Sequence, residues 1–175
     1  MPTASPALLR ATRGMLWLSL ALVAASTLIV VAIGVGLAFA WPDVLARFHD
    51  SGAFVDAAAI RAPLGAMMLL FLAILVATAY MLRQLQELVA SAARGDPFAP
   101  TNAQRLRRVG WALVVTQVAA LPIHWISSRI VAAGSDLGSA GGLSLGGVLA
   151  ILLAFVLAAV FEQGSAMRDE LEGTV

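Results

Sequence analysis

Residues 62–82 read APLGAMMLLFLAILVATAYML, twenty-one positions from Ala62 to Leu82 without one charged side chain. A helix rising about 1.5 Å per residue needs about 20 apolar residues to cross a hydrocarbon core of about 30 Å. This stretch is long enough. Three further charge-free windows flank it: Gly14 to Pro42, Val109 to Ser128 and Leu137 to Phe161. None alternates with a period of two, as the strands of a membrane barrel must. The windows predict an all-α polytopic membrane protein, four transmembrane helices in a bundle. The expected helices cover about 15–40, 63–93, 103–131 and 143–171, in one membrane domain spanning 1–175.

Composition agrees. The 175-residue chain is 61% hydrophobic and 12% charged, whereas soluble domains carry roughly 25% charged residues. So few charges do not cover a water-facing surface of this size. The lipid bilayer is therefore the first expected partner. The formal net charge is +1, too little to attract nucleic acid directly. Cysteine is absent, which excludes disulfides, thiolate metal sites and a cysteine nucleophile. All 11 basic residues are Arg, and Ala occurs 35 times. Both amino acids have GC-rich codons, which points to a bacterial genome of high GC content.

Arginine placement orients the spans, because cytoplasmic loops are enriched in basic residues. Arg10, Arg13, Arg83, Arg94, Arg105, Arg107, Arg108 and Arg168 lie at one side; Arg47, Arg61 and Arg129 lie at the other. Both termini and the loop over 83–108 are thus expected in the cytoplasm, with outer loops at 43–61 and 129–142 and a tail at 162–175. The inferred location is the bacterial inner membrane. Trp17, Tyr80 and Trp111 fall near inner ends, and Trp41 and Trp125 near outer ends. A signal peptide is the alternative for the first span, with Ala38-Phe39-Ala40 as its cleavage site. The apolar run from Met15 to Phe39 is longer than a signal core of about 7–15 residues, so an anchor is expected.

Membrane helices associate through small residues and interhelical hydrogen bonds. Gly134, Gly138, Gly142, Gly146, Ala150, Ala154 and Ala158 recur every four residues and predict a packing ridge on the fourth helix. The spacing leaves open whether that ridge meets the same chain or a second protomer of a homo-oligomer. A shorter version is Ala32, Gly36 and Ala40. The third span is the most polar: Thr116, Gln117, His124 and Ser128 share a side, and Pro122 should kink the helix. Intramembrane polar residues are candidate functional positions, although Gln and Thr also serve simply to join helices. Asp43, His49, Asp50 and Asp56 match no metal-binding spacing, and a solvated loop or a short interfacial helix near Val44–Phe48 is expected there.

The second helix should outlast the membrane, with Leu82, Leu85, Leu88 and Val89 as its apolar stripe and Gly95 as its stop. Thr101 and Gln104 have the spacing of a capping box. Phe98, between prolines, is exposed unless it docks on the leucine stripe. The loop carries five arginines against Glu87 and Asp96, a balance of +3. The tail carries Arg168 against Glu162, Asp169, Glu170 and Glu172, a balance of −3. Phe98, Arg105, Arg107, Arg108, Glu170 and Glu172 are therefore the candidate residues for tail docking or a cytoplasmic contact. No phosphate-cradling loop, His-Glu metal pair or nucleophile with base and acid is present. No enzyme, cofactor or metal is expected.

Gly95-Asp96-Pro97-Phe98, Thr101-Asn102 and Arg105-Leu106-Arg107-Arg108-Val109-Gly110-Trp111 resemble the central loop of the domain-of-unknown-function 2975 family, small bacterial four-helix inner-membrane proteins. Phe161-Glu162-Gln163-Gly164, Asp169-Glu170-Leu171 and Thr174-Val175 resemble its C-terminus, departing from the commoner ending at Glu172-Gly173. The resemblance implies a membrane protein without assigned activity, often encoded beside a small helix-turn-helix regulator. The resulting expectation is an interaction or regulatory protein whose cytoplasmic loop and tail contact such a regulator. The alternative is a small oligomeric transporter or channel using the polar side of the third helix.

Overall fold

The structure is a computed structural model that describes residues 6–43, 46, 57–132 and 141–172. Four helices account for almost all of them: α1 (Pro6–Phe39), α2 (Ala57–Ala93), α3 (Pro100–Ala132) and α4 (Leu145–Glu172). Each is long and apolar enough to cross a membrane. They pack together as an all-α membrane bundle in which the extensive interfaces join successive helices: α1 with α2, α2 with α3, α3 with α4.

The α1–α2 seam follows from a repeat. Positions 16, 20, 23, 27, 30, 34, 37 and 41 are half-buried, and the large apolar residues between them, such as Leu18, Leu22 and Leu28, are exposed. Spacings alternating four and three are those of a left-handed pair of supercoiled helices. Gly34 provides the close approach; a Cβ there would lie 3.3 Å from Met68. The small residues expected to pack were Ala32, Gly36 and Ala40, but nothing lies within 4 Å of a Cβ at Gly36. The seam takes the face centred on Gly34 instead. Near its end, the Arg61 guanidinium lies 5.8 Å from the Trp41 ring centroid.

α3 is the most covered helix. Ala103, Leu106, Val109, Ala112, Ala119 and Ile123 are buried along it, at spacings of three, four or seven, as one apolar helical face requires. On α2, Leu82 is buried and Leu85, Leu88 and Val89 are half-buried. On α4 the small-residue ridge divides. Ala154 and Ala158 are buried within the chain, while a Cβ at Gly146 would meet nothing. Phe155 fills the space above Gly110, where a Cβ would come within 3.0 Å, and its ring meets Trp111 edge-on at 5.8 Å.

Helix boundaries differ from expectation near two prolines, Pro63 and Pro100. α2 starts six residues before Pro63, and α3 starts at Pro100 and runs through Pro122 without interruption. Thr101 is consequently inside α3 and forms no capping box. A proline suits the first helical position because its φ is preset and its missing N–H would have had no helical partner. Apart from Ala46, the interfacial helix expected near Val44–Phe48 lies outside the described residues, as do His49, Asp50 and Asp56. So do Gly134 and Gly138 of the proposed ridge.

Candidate functional site

The best-organised polar structure lies at the bundle end that carries the α2–α3 turn. α2 ends in a Schellman motif: Gly95 N–H donates to Ala92 O at 3.1 Å and Asp96 N–H to Ser91 O at 3.3 Å. The motif needs a left-handed residue, and Gly95 supplies it at φ +85°. The turn is then tied to α3 by Asn102, the only asparagine of the chain and fully buried. Its Nδ2 donates to Ser91 Oγ and to the Pro97 carbonyl, both at 2.9 Å. Ser91 Oγ in turn donates to Asp96 O at 2.7 Å. Asn102 Oδ1 accepts from Arg105 Nη1 at 2.8 Å, and Arg105 Nη2 pairs with Glu87 at 3.5 Å. One side chain thus joins the end of α2, the turn and the start of α3.

The turn presents Phe98 to α4. Its ring centroid lies 5.4 Å from that of Phe161, and a Cβ on Gly164 would be 2.9 Å from the ring. Two ion pairs flank this contact. Arg107 Nη2 reaches Glu162 Oε2 at 2.8 Å, and Arg168 Nη1 reaches Asp96 Oδ1 at 2.6 Å. We call the assembly the latch. Phe98 thus docks on α4, against Phe161 and Gly164, and not on the leucine stripe of α2.

Among the expected docking residues, Phe98, Arg105 and Arg107 are all part of this assembly, and Arg108 is exposed beside it. Glu170 is exposed on α4, and the side chain of Glu172 lies outside the described residues. The tail meets the loop through Glu162 with Arg107 and through Arg168 with Asp96, one pair in each direction of charge. Asn102, Ser91 and Gly164 are the residues that a charge-based reading misses. A usable signal existed in the chain's one asparagine, placed a turn inside a helix.

The polar side of α3 is dispersed. Thr116 Oγ1 donates to Leu113 O at 2.7 Å, and Ser128 Oγ donates to Trp125 O at 2.8 Å. Both hydroxyls are therefore satisfied within their own helix. Gln117 faces α4: its Oε1 accepts from Ser144 N–H at 3.1 Å, and a Cβ at Gly147 would collide with its amide. His124 is exposed, close to Gly141 and Gly142. The four residues do not converge on one point. Arg129 stacks over Trp125, 4.8 Å from the ring centroid.

Comparison with known proteins adds one assignment. No curated protein and no solved structure matches the chain. The family model described as "Protein of unknown function (DUF2975)" matches residues 44–175. That match holds α2, α3, α4 and every residue of the latch. With well over half its length matched, the chain belongs to the domain-of-unknown-function 2975 family.

Proposed function

We propose that this protein is a regulatory or interaction component of the bacterial inner membrane whose latched turn and α4 tail contact a soluble cytoplasmic partner. The partner we favour is a small helix-turn-helix regulator, as the family resemblance implies. Both termini and the α2–α3 turn are then cytoplasmic, in keeping with eight arginines at that side against three at the other.

One observation carries the reading. Among the described residues of the two resembling segments, Gly95, Asp96, Phe98, Asn102, Arg105, Arg107, Phe161, Glu162 and Gly164 gather in a single interlocked head. That head still presents surface to a partner: Phe98 keeps 43% of its exposure, and Arg94 and Arg108 are exposed at its rim. Exposed aromatic and arginine side chains are over-represented where proteins bind one another. The reading involves no reaction, and transition-state chemistry is not part of it.

A photo-crosslinking side chain in place of Arg108 tests this in native membranes. Arg108 lies at the rim and outside the latch, so its replacement leaves tail docking in place. The expected product is an adduct with a small helix-turn-helix protein, lost when Phe98→Ala is added. Adducts only with lipid or with the chain itself would refute the proposal.

A further inference from the structure

α4 begins deep beside α3, not at the level of the end of α3. Gly142 N–H donates to Ala120 O at 3.2 Å, and Ser144 N–H donates to Gln117 Oε1 at 3.1 Å. From Gln117 to Arg129, α3 advances about 18 Å at about 1.5 Å per residue. The residues from Gly141 to Ser144 are not helical, and hydrocarbon offers no partner to non-helical backbone. Here α3 supplies two of the partners. Ser144 also caps α4, its Oγ accepting from Gly147 N–H at 3.0 Å and its carbonyl from Val148 N–H at 3.1 Å. Gly141 and Gly142, at φ +81° and +113°, lie flat on α3, where a Cβ at Gly141 would be 2.8 Å from Ala120 O.

The two flanks of the bundle differ at this height. Antiparallel pairing through Gly34 and Met68, and through Glu87 and Arg105, sets Ile33 of α1 level with His124 of α3. On the α1 flank Ile33 is 51% exposed and Phe39, further along, 85% exposed, surfaces suited to lipid tails. On the α3–α4 flank Leu121, Trp125, Leu143 and Leu145 are exposed at about the same height, and the exposed polar groups of His124 and Ser144 lie among them, beside the open backbone of Gly141. Polar groups at membrane depth face protein or water.

We propose that water enters from the membrane face opposite the α2–α3 turn, follows the side of α3 bearing Ser128 and His124, and reaches Ser144. Gly141–Ser144 is then a membrane-dipping segment, and its polar lining admits water and small hydrophilic solutes to about the middle of the bilayer. This inference is independent of any partner at the latch.

The cysteine-free chain suits a direct test. Single-cysteine variants His124→Cys, Ser144→Cys and Ser128→Cys are compared in membranes with Ile33→Cys and Leu28→Cys, the lipid-facing controls on α1. A charged, membrane-impermeant methanethiosulfonate is applied to one face at a time; it reacts with thiolate, which forms only where water reaches the sulfur. Ser144→Cys and His124→Cys should label at least ~10-fold faster than both controls, from the face opposite the turn. Unchanged trypsin resistance of the α2–α3 turn identifies the variants that fold, and Ser128→Cys stands in for His124→Cys if the latter does not accumulate. Labelling of Ser144→Cys no faster than the controls, or only from the turn face, would overturn the proposal.

Discussion

Asn102 shows how much one side chain can hold. It is fully buried, and both of its amide donors and its oxygen are engaged. Replacing it with Ala would remove the donors to Ser91 Oγ and the Pro97 carbonyl and the acceptor of Arg105, and such hydrogen bonds contribute about 0.5–1.5 kcal/mol each, more to a charged group. Asn102→Ala should therefore lower the unfolding temperature in detergent markedly and open the turn at 94–99 to trypsin at Arg94. Asn102→Asp is the sharper variant, since it keeps the size and the acceptor but removes both donors. It should behave like Asn102→Ala. If it behaved like the parent, the hydrogen bonds would not be the source of stability. Gln86 is the opposite case. Its buried Nε2 has no hydrogen-bond partner, so Gln86→Met, similar in length and apolar, should leave the unfolding temperature unchanged or raise it.

Between elements, the contact of the turn with α4 depends on size matching more than charge. Gly164 exists beside Phe98 because a Cβ there would press on the ring. Gly164→Val should displace Phe98 and make both the turn and the end of α4 protease-sensitive. In a Phe98→Ala background the same substitution should cost little more, because the ring it strikes is gone; residues in contact are not additive. The ion pair of Arg107 with Glu162 is half-exposed and should contribute only about 0–1 kcal/mol. Reversing both charges should restore whatever Arg107→Glu alone removes, measured by trypsin cleavage at Arg168. This hierarchy explains what the sequence made legible. Four long helices could be read from gaps in charge, because the bilayer imposes that pattern on every span. The opposite net charges of loop and tail pointed to docking, but net charge carries no geometry. Glu162 and Asp96 each form such a pair, and tail and loop balances could not single them out. The partner of Gln117, the N–H of Ser144, is backbone and has no signature in residue type, so the sequence could not show where the polar side of α3 meets the segment before α4. α1 was misread for a related reason: in an Ala- and Gly-rich helix several small-residue spacings coexist, and only the partner helix selects one.

At the scale of the molecule, the helices form a chain of pairwise interfaces, and α1 occupies one end of it. The family match begins at residue 44, after α1 has ended at Phe39. Both facts treat α2, α3 and α4 as the unit that builds the latch and the membrane-dipping segment. α1 adds a heptad-spaced seam along α2, and none of the latch residues depends on it. Lipid replaces α1 on α2 at little cost, because lipid tails are as apolar as the helix they displace. A chain starting at Val44 should therefore still insert, with the α2–α3 turn on the same side as in the full chain. The arginines at 83, 94, 105, 107 and 108 all remain, and in the proposed topology they hold that turn in the cytoplasm. A periplasmically active reporter fused after Val175 should stay silent in both forms, and the turn should keep its resistance to trypsin. An active reporter in the full chain would invert the proposed topology. Activity in the shortened chain alone would show that α1, through Arg10 and Arg13, sets the orientation that the central arginines were argued to maintain.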